Sequence, residues 1–261
     1  MKAEEIQRKH FNKIGDVYVK ARGNKYHVAY QHAWWDEYFE WLLSSLPYKT
    51  KLRGMDAMCG NAEIAIYLKS KNSQIEMDAF DYSDSMVKYA RKQIKISGKE
   101  INVWKDDILH FSGKRKYDFV VILGGLHHMP DYTIDVMKNI SKMLKPGGYF
   151  LNLEPTQNNP LMRWARKQIY KKNAIFEENT ERAFELKDYN TLLRSSGYKI
   201  MKQSYPGLLG YILFYNPDAF PWLNIPIMWI VKFLVYLDIS LGISGFGKYL
   251  SFATWTLAKK K

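Results

Sequence analysis

The sequence holds a single cysteine, Cys59, among its 261 residues. No intramolecular disulfide and no cysteine-built metal cluster can form from one thiol, and a reducing compartment suits such a chain. Long apolar runs are also scarce. The longest goes from Ala219 to Leu237, is broken by Pro226 and Lys232, and stops at Asp238. It falls short of the roughly 20 mostly apolar residues of a membrane-crossing helix. The opening MKAEEIQRKHF carries charges but no apolar stretch, so it does not read as a secretory leader. Acidic side chains are in deficit: 26 Asp and Glu face 39 Lys and Arg, for a net charge of +13. That balance favours anionic partners such as nucleic acid, anionic lipid or a phosphorylated substrate. Solvated lysine-rich faces explain it equally well.

What is present is an ordinary globular composition. Hydrophobic residues make up 47% and charged residues 25%, which excludes a disordered chain. The length fits one large domain with insertions. The first 50 residues read as a helical cap in which Trp34, Tyr38 and Trp41 share one face. From Leu52 the pattern alternates. Strands are expected over Leu52–Ala57, Ile75–Asp81, Ile101–Trp104, Tyr117–Leu123 and Tyr149–Leu153. Helices are expected over Ala62–Lys69, Asp84–Ser97 and Thr133–Leu144, the second capped by Ser83 or Asp84. This βαβα order predicts an α/β fold with a parallel sheet and helices on both faces. Leu161–Lys172 reads as a basic amphipathic helix, with Trp164 on its apolar face and Arg163, Arg166 and Lys167 on the remainder. A helix at Leu186–Ser196 and strands at Tyr198–Gln203 and Ser251–Leu257 complete the pattern.

Four stretches carry chemistry. Gly54-Met55-Asp56-Ala57-Met58-Cys59-Gly60-Asn61-Ala62 follows a strand and opens a helix, a turn that brings backbone N–H groups close to a ligand. Asp81 ends the second strand, where a carboxylate can accept hydrogen bonds from both hydroxyls of a ribose. Asp106-Asp107-Ile108 follows the third strand. A carboxylate there can accept an adenine amino group while Ile108 packs on the ring, and Asp107 is the better placed of the two aspartates. The fourth strand ends in Gly124-Gly125-Leu126-His127-His128, with either histidine a candidate general base at the ligand edge. Two adjacent histidines do not converge on one metal ion without a third ligand, so no metal site is expected. A structural role for each histidine stays open.

Together these stretches resemble the class I S-adenosylmethionine-dependent methyltransferases, over about Leu52 to Pro155. DAMCGNA looks like the family's glycine-rich DxGCGxG motif, FDYSDSM like its acidic second motif, YDFVVILGGLHHM like its fourth-strand motif and LKPGGYFL like its helix–turn–fifth-strand motif. Met58 and Ala62 stand where the family usually has glycine. The resemblance implies a Rossmann-like seven-stranded methyltransferase sheet and S-adenosyl-L-methionine as cofactor. It implies that Asp56, Met58 and Gly60 line the methionine end, that Asp81 binds the ribose with Tyr82 beside the adenine, and that Asp107, Ile108 and Leu123 flank the adenine. His127 and His128 are the candidate catalytic residues. Tyr18 would reach over the site as part of the cap.

The domain layout expected is a cap at 1–50, a methyltransferase domain at 51–205 and 250–261, and an apolar helical insert at 206–249. The insert would roof a greasy pocket, touch a membrane interface or form a dimer surface. The basic helix and Lys259-Lys260-Lys261 favour the membrane. The expected acceptor is therefore a small lipophilic or lipid-linked molecule, and the expected location is cytoplasmic, peripheral on the inner face of a membrane. An RNA methyltransferase is the alternative reading. The lack of an appended RNA-binding signature argues against nucleic acid as partner. A nicotinamide oxidoreductase would need G-x-G-x-x-G, which is missing. A non-catalytic cofactor-binding relative is the third reading. Nothing in the sequence sets the oligomeric state.

Overall fold

A computed structural model describes residues 3–47, 51–157, 163–164, 166–168, 182–215 and 227–261. The alternation read from the sequence folds into one sheet. Its strands are β1 (Leu52–Ala57), β2 (Ile75–Asp81), β3 (Ile101–Lys105), β4 (Tyr117–Leu123), β5 (Leu144–Gln157), the two-residue β6 (Phe184–Glu185), β7 (Tyr198–Ser204) and β8 (Ala253–Lys260). They run in the order β3-β2-β1-β4-β5-β8-β7, with β6 beside the end of β5. Strands β1 to β5 pair in parallel, and β8 pairs antiparallel to both β5 and β7. The short β6 is an addition to the seven strands expected.

The helices are α1 (Ala3–Arg22), α2 (Lys25–Ser45), α3 (Glu63–Lys71), α4 (Asp84–Ser97), α5 (Thr133–Met143), α6 (Leu186–Ser195), α7 (Met228–Ile243) and α8 (Gly247–Leu250). The Ser83 hydroxyl caps α4, accepting from Met86 N at 3.3 Å. Gly23 and Asn24 separate α1 from α2, and the Asn24 side chain accepts from Tyr26 N at 2.9 Å, fixing where α2 starts. Helix α3 begins one residue later than expected because Ala62 is left-handed at φ 62° and cannot join it.

Two apolar clusters cover the sheet's two faces. One joins Trp34, Tyr38 and Phe39 of α2 with Leu68 of α3, Val231 and Val235 of α7, and Trp255 of β8. The other joins Val120, Phe150, Met137, Ile140 and Tyr189. Strands β1 and β4 approach closely at Gly54: a Cβ there would lie 2.3 Å from Phe119 Cζ. Only glycine fits beside that ring.

The apolar insert packs chiefly on the cap. Tyr30 of α2 donates to Asp238 Oδ2 of α7 at 2.6 Å. His27 Nδ1 lies 2.6 Å from the Phe214 carbonyl, and Trp34 stacks on Tyr211. Burial pushes the Asp238 carboxyl up to about 6. Phe220, Trp222, Leu223 and Ile225 of the expected insert lie outside the described residues, as do Leu161, Ala165, Ile169 and Lys171 of the expected basic helix.

Arg166, expected beside Arg163 and Lys167 on the side of the basic helix away from Trp164, is buried and donates through Nη2 to the Phe252 carbonyl at 2.6 Å and the Thr156 carbonyl at 3.3 Å. Trp164 is exposed. A guanidinium that serves two backbone carbonyls can be buried. The lysines of β8 sit at the sheet edge opposite the ligand edge. Lys259 pairs with Tyr149 in the ladder, and Lys260 Nζ donates to the Ser141 and Leu144 carbonyls at 2.6 and 3.1 Å.

Candidate functional site

The carboxyl ends of β1, β2 and β4 meet at one edge, where open α/β sheets bind ligands. The turn after β1 is unusual. Met58, Gly60 and Ala62 are all left-handed, at φ 57°, 54° and 62°. Two of the three are not glycine, and a side chain in that region costs about 1–2 kcal/mol. The turn is held from both sides: Cys59 N donates to the Phe80 carbonyl at 2.9 Å, and Gly60 N to Asp81 Oδ2 at 2.8 Å. A Cβ added at Gly60 would meet no atom within 4 Å, so the space above the turn is open. Burial raises the Cys59 thiol well above its usual range, which keeps it unreactive.

Asp81 is the charged centre of this edge. Its Oδ1 accepts from Ser83 N at 2.9 Å and its Oδ2 from Gly60 N. Each oxygen keeps a further acceptor site, so the carboxylate can take two vicinal hydroxyls while holding the turn. Burial lifts its carboxyl from 3.8 to about 6, against the opposing pull of the Ser83 and Gly60 amides. Asp56 is turned elsewhere: its Oδ2 accepts from Ala65 N at 3.1 Å, under the first turn of α3. Burial raises its carboxyl far above the ordinary value. Met58 lies against the end of β4, with its Sδ 3.0 Å from where a Gly125 Cβ would be.

After β3, the Asp107 carboxylate closes its own turn, accepting from Leu109 N at 2.9 Å and lying 2.7 Å from His110 Nδ1. Asp106 accepts from Trp104 Nε1 at 3.1 Å. Ile108 is buried and Leu123, at the end of β4, is half-buried. Tyr82 is tied to the cap, its hydroxyl donating to Glu5 Oε1 at 2.7 Å. The Asn12 side chain accepts from Ser83 Oγ at 2.7 Å, and the Phe11 carbonyl from Ser85 Oγ at 3.0 Å. Helix α1 therefore lies across the loop that follows Asp81. The side chain of Tyr18, on α1, lies outside the described residues.

The two histidines occupy a single helical turn at Leu126–His128. Their rings lie 4.0 Å apart, and Phe11 of α1 packs edge-on against His128. Beneath them is a residue that motif reading missed. Glu154 of β5 is fully buried, and five donors converge on its oxygens. These are the amides of Gly125, Leu126 and His127, the Asn152 side chain and His127 Nδ1, all within 3.2 Å. An ionised carboxylate only accepts, so toward it His127 Nδ1 presents an N–H. The available signal was Glu154 itself, an acid at the end of the mostly apolar run Tyr149-Phe150-Leu151-Asn152-Leu153.

Residues 55–148 match the family model described as "Methyltransferase domain". Over that stretch the chain is similar to the methyltransferase domain family. The domain is similar in sequence to a demethylmenaquinone methyltransferase of Staphylococcus haemolyticus, 28% identical over 149 residues, which are 54% of this chain and 56% of the relative. The corresponding enzyme of Leptospira interrogans is 26% identical over 163 residues, 60% of this chain and 64% of its own. The chain thus spans a little over half the length of the curated relatives it matches. Its fold resembles that of magnesium protoporphyrin IX methyltransferase from Synechocystis PCC 6803 with bound SAH. That match has a TM-score of 0.64 at 17% identity and covers 99% of this chain and 100% of the other. It also resembles the [4+2]-cyclase SpnF, with a TM-score of 0.60 at 15% identity over 86% and 80% of the two chains. At such identities the likeness concerns the methyltransferase fold alone, and one fold hosts more than one chemistry.

Proposed function

We propose that the protein is an S-adenosylmethionine-dependent methyltransferase acting on a small lipophilic acceptor. The observation that carries the reading is Asp81. Its carboxylate holds the β1–α3 turn through Gly60 N and keeps acceptor capacity for two ribose hydroxyls. Above it, the turn is open at Gly60. The residues present therefore fit the cofactor. Bound there, it would supply a methyl group on a sulfonium centre. Gly60 and Met58 would lie along its amino-acid end, Asp81 would hold the ribose, and Tyr82, Ile108 and Leu123 would enclose the adenine. Asp107 contributes by shaping the turn beside that ring, and Asp56 by capping α3.

His127 is the base in this reading. Glu154 fixes its tautomer and orientation, so Nε2 is the atom that would take a proton from an acceptor hydroxyl or acidic carbon. The rest of the rate comes from holding the acceptor in line with the methyl group. The lipophilic character of the acceptor rests on the demethylmenaquinone methyltransferase relatives and on the aromatic cap. Location on the inner face of a membrane belongs to the same reading.

Calorimetric titration with S-adenosylmethionine and S-adenosylhomocysteine, alongside Asp81→Ala, tests it. Micromolar binding by the wild type that is lost in the variant is the expected result. A folded protein that binds neither ligand refutes the proposal. A second reading, cofactor binding without methyl transfer, is favoured by the left-handed Met58 side chain lying over Gly125. Product analysis with quinol and phenol acceptors separates the two: cofactor binding with no methylated product supports the second.

A further inference from the structure

Helix α7 is apolar on both sides, but only one side is covered. Val231, Leu234, Val235 and Gly242 are buried against the cap and the chain at Pro206. The opposite side presents Trp229, Phe233, Tyr236 and Ile243, spaced four, three and seven apart, with Trp229 69% and Tyr236 71% exposed. Phe246, 77% exposed, and Tyr249 continue the apolar surface through α8. Ten of the sixteen exposed large hydrophobics found among the described residues fall between Ile227 and Leu250. Concentration on one element is what separates an interaction surface from ordinary scattered exposure.

Charge identifies the occupant. From Ile227 to Lys261 the sequence contains a single acid, Asp238, and that acid is buried on Tyr30. No carboxylate therefore faces solvent from this segment. Lys232 stands exposed between Trp229 and Phe233, and Lys248 Nζ lies 5.2 Å from the centre of the Tyr249 ring. Exposed Trp164 and Lys167 sit on the segment that Arg166 anchors to the Phe252 carbonyl, just past α8. Aromatic rings mixed with lysines, and free of carboxylates, match the headgroup layer of an anionic bilayer. A second copy of the same face would oppose Lys232 to Lys232 with no acid to pair with either. Helix α7 has 16 residues, about 24 Å at 1.5 Å per residue, short of the roughly 30 Å hydrocarbon core. Its fit is to lie along the interface.

We infer that the outer face of α7 and α8 seats this protein on the surface of an anionic membrane. The inference rests on the lipophilic acceptor proposed above and names its route. The chain after α8 enters β8 at Ala253, which pairs with Pro155 at the carboxyl end of β5. That is the edge on which Asp81 and His127 stand, so the docked face and the ligand edge lie on the same side of the sheet. Lys259 and Lys260, at the far edge, take no part.

Co-sedimentation of the full chain with vesicles of phosphatidylcholine and phosphatidylglycerol tests the inference, with neither cofactor nor acceptor present. Failure here would leave the methyl-transfer reading standing. The expected result is binding to anionic vesicles and quenching of tryptophan fluorescence by brominated acyl chains. Trp229→Ser with Phe233→Ser and Tyr236→Ser should lower the partition coefficient at least tenfold. Ile96→Ser, which removes an exposed apolar side chain from α4, should leave it unchanged. Should the triple variant melt early, Lys232→Glu serves instead and should weaken binding severalfold at low salt. The inference is overturned if the wild type does not bind, or if the folded triple variant binds as well as the wild type. It is also overturned if sedimentation velocity shows a dimer that the triple variant abolishes.

Discussion

Asp81→Asn should stabilise the protein while removing its cofactor affinity. At pH 7 the folded protein holds a charged carboxylate whose ordinary value of 3.8 has been lifted by burial to about 6. At about 1.4 kcal/mol for each pH unit, that charge costs the fold at most about 3 kcal/mol. Water reaches part of the half-buried side chain, which lowers the cost. Asparagine also keeps one oxygen acceptor instead of two, so either the Gly60 or the Ser83 amide loses its partner, at about 1 kcal/mol. The net expectation is a gain of about 1 kcal/mol, or a melting temperature higher by about 2–4 °C for a chain of this size. The pH dependence follows from the raised value. Between about 4 and 6 the folded form holds a proton that the unfolded form has released, so wild-type stability falls as pH rises through that window. The variant's advantage should be full at pH 7.5 and gone by pH 4. Urea denaturation of both proteins at pH 4, 5, 6 and 7.5 reads the difference, and calorimetry reads cofactor affinity, expected to drop about tenfold or more. A variant less stable by the same margin at every pH, with unchanged cofactor affinity, would refute the reasoning.

Further outcomes can be checked separately. His127→Gln should lower kcat by about 10²–10⁴, while cofactor Kd by calorimetry stays within about twofold. Tyr30→Phe removes a donor from the buried Asp238 carboxylate and should cost about 1–3 kcal/mol in urea denaturation at pH 7.5. That loss should shrink below pH 6, where Asp238, which titrates near 6 in the folded protein, is neutral. Gly54→Ala puts a methyl group 2.3 Å from the Phe119 ring and should destabilise by about 1–3 kcal/mol or more, seen as poor expression or a depressed Tm. Met58→Gly releases a left-handed side chain but frees the unfolded chain, so its stability should change by no more than about 1 kcal/mol either way.

Strand β4 was legible because a buried parallel strand is a short apolar, β-branched run, and both β2 and β4 begin and end where Ile75–Asp81 and Tyr117–Leu123 were placed. The α4 cap was narrowed to Ser83 or Asp84, and Ser83 takes it. Strand β5 outran its expected Tyr149–Leu153, since Leu144 pairs with Tyr117 ahead of a bulge and the ladder continues to Pro155 on β8 and to Gln157 on β6. Pro146 and Gly147 hid the first part and Pro155 the second. At the site, the place of Asp81 at the end of β2 was legible from the strand pattern. Glu154 could not be assigned a role, because its partners are the amides of a turn about 28 residues away. Helical periodicity could not show that Arg166 would be buried, because it measures polarity and the deciding partners are the carbonyls of Thr156 and Phe252. The side of α7 that would be left bare was likewise invisible: apolar residues stand on both sides of it, and the position of α2 decides which are covered.

The bond between Tyr30 and Asp238 joins positions 208 residues apart. The same face of α2 stacks Trp34 on Tyr211 and Tyr38 on Trp255. During synthesis at about 5–20 residues per second, that aromatic face leaves the ribosome roughly 10–40 s before Asp238 is made. For that interval three large rings have no native covering. The nascent chain is therefore a client for chaperones that shield aromatic surface, and slowing translation between α2 and α7 should raise the fraction that aggregates.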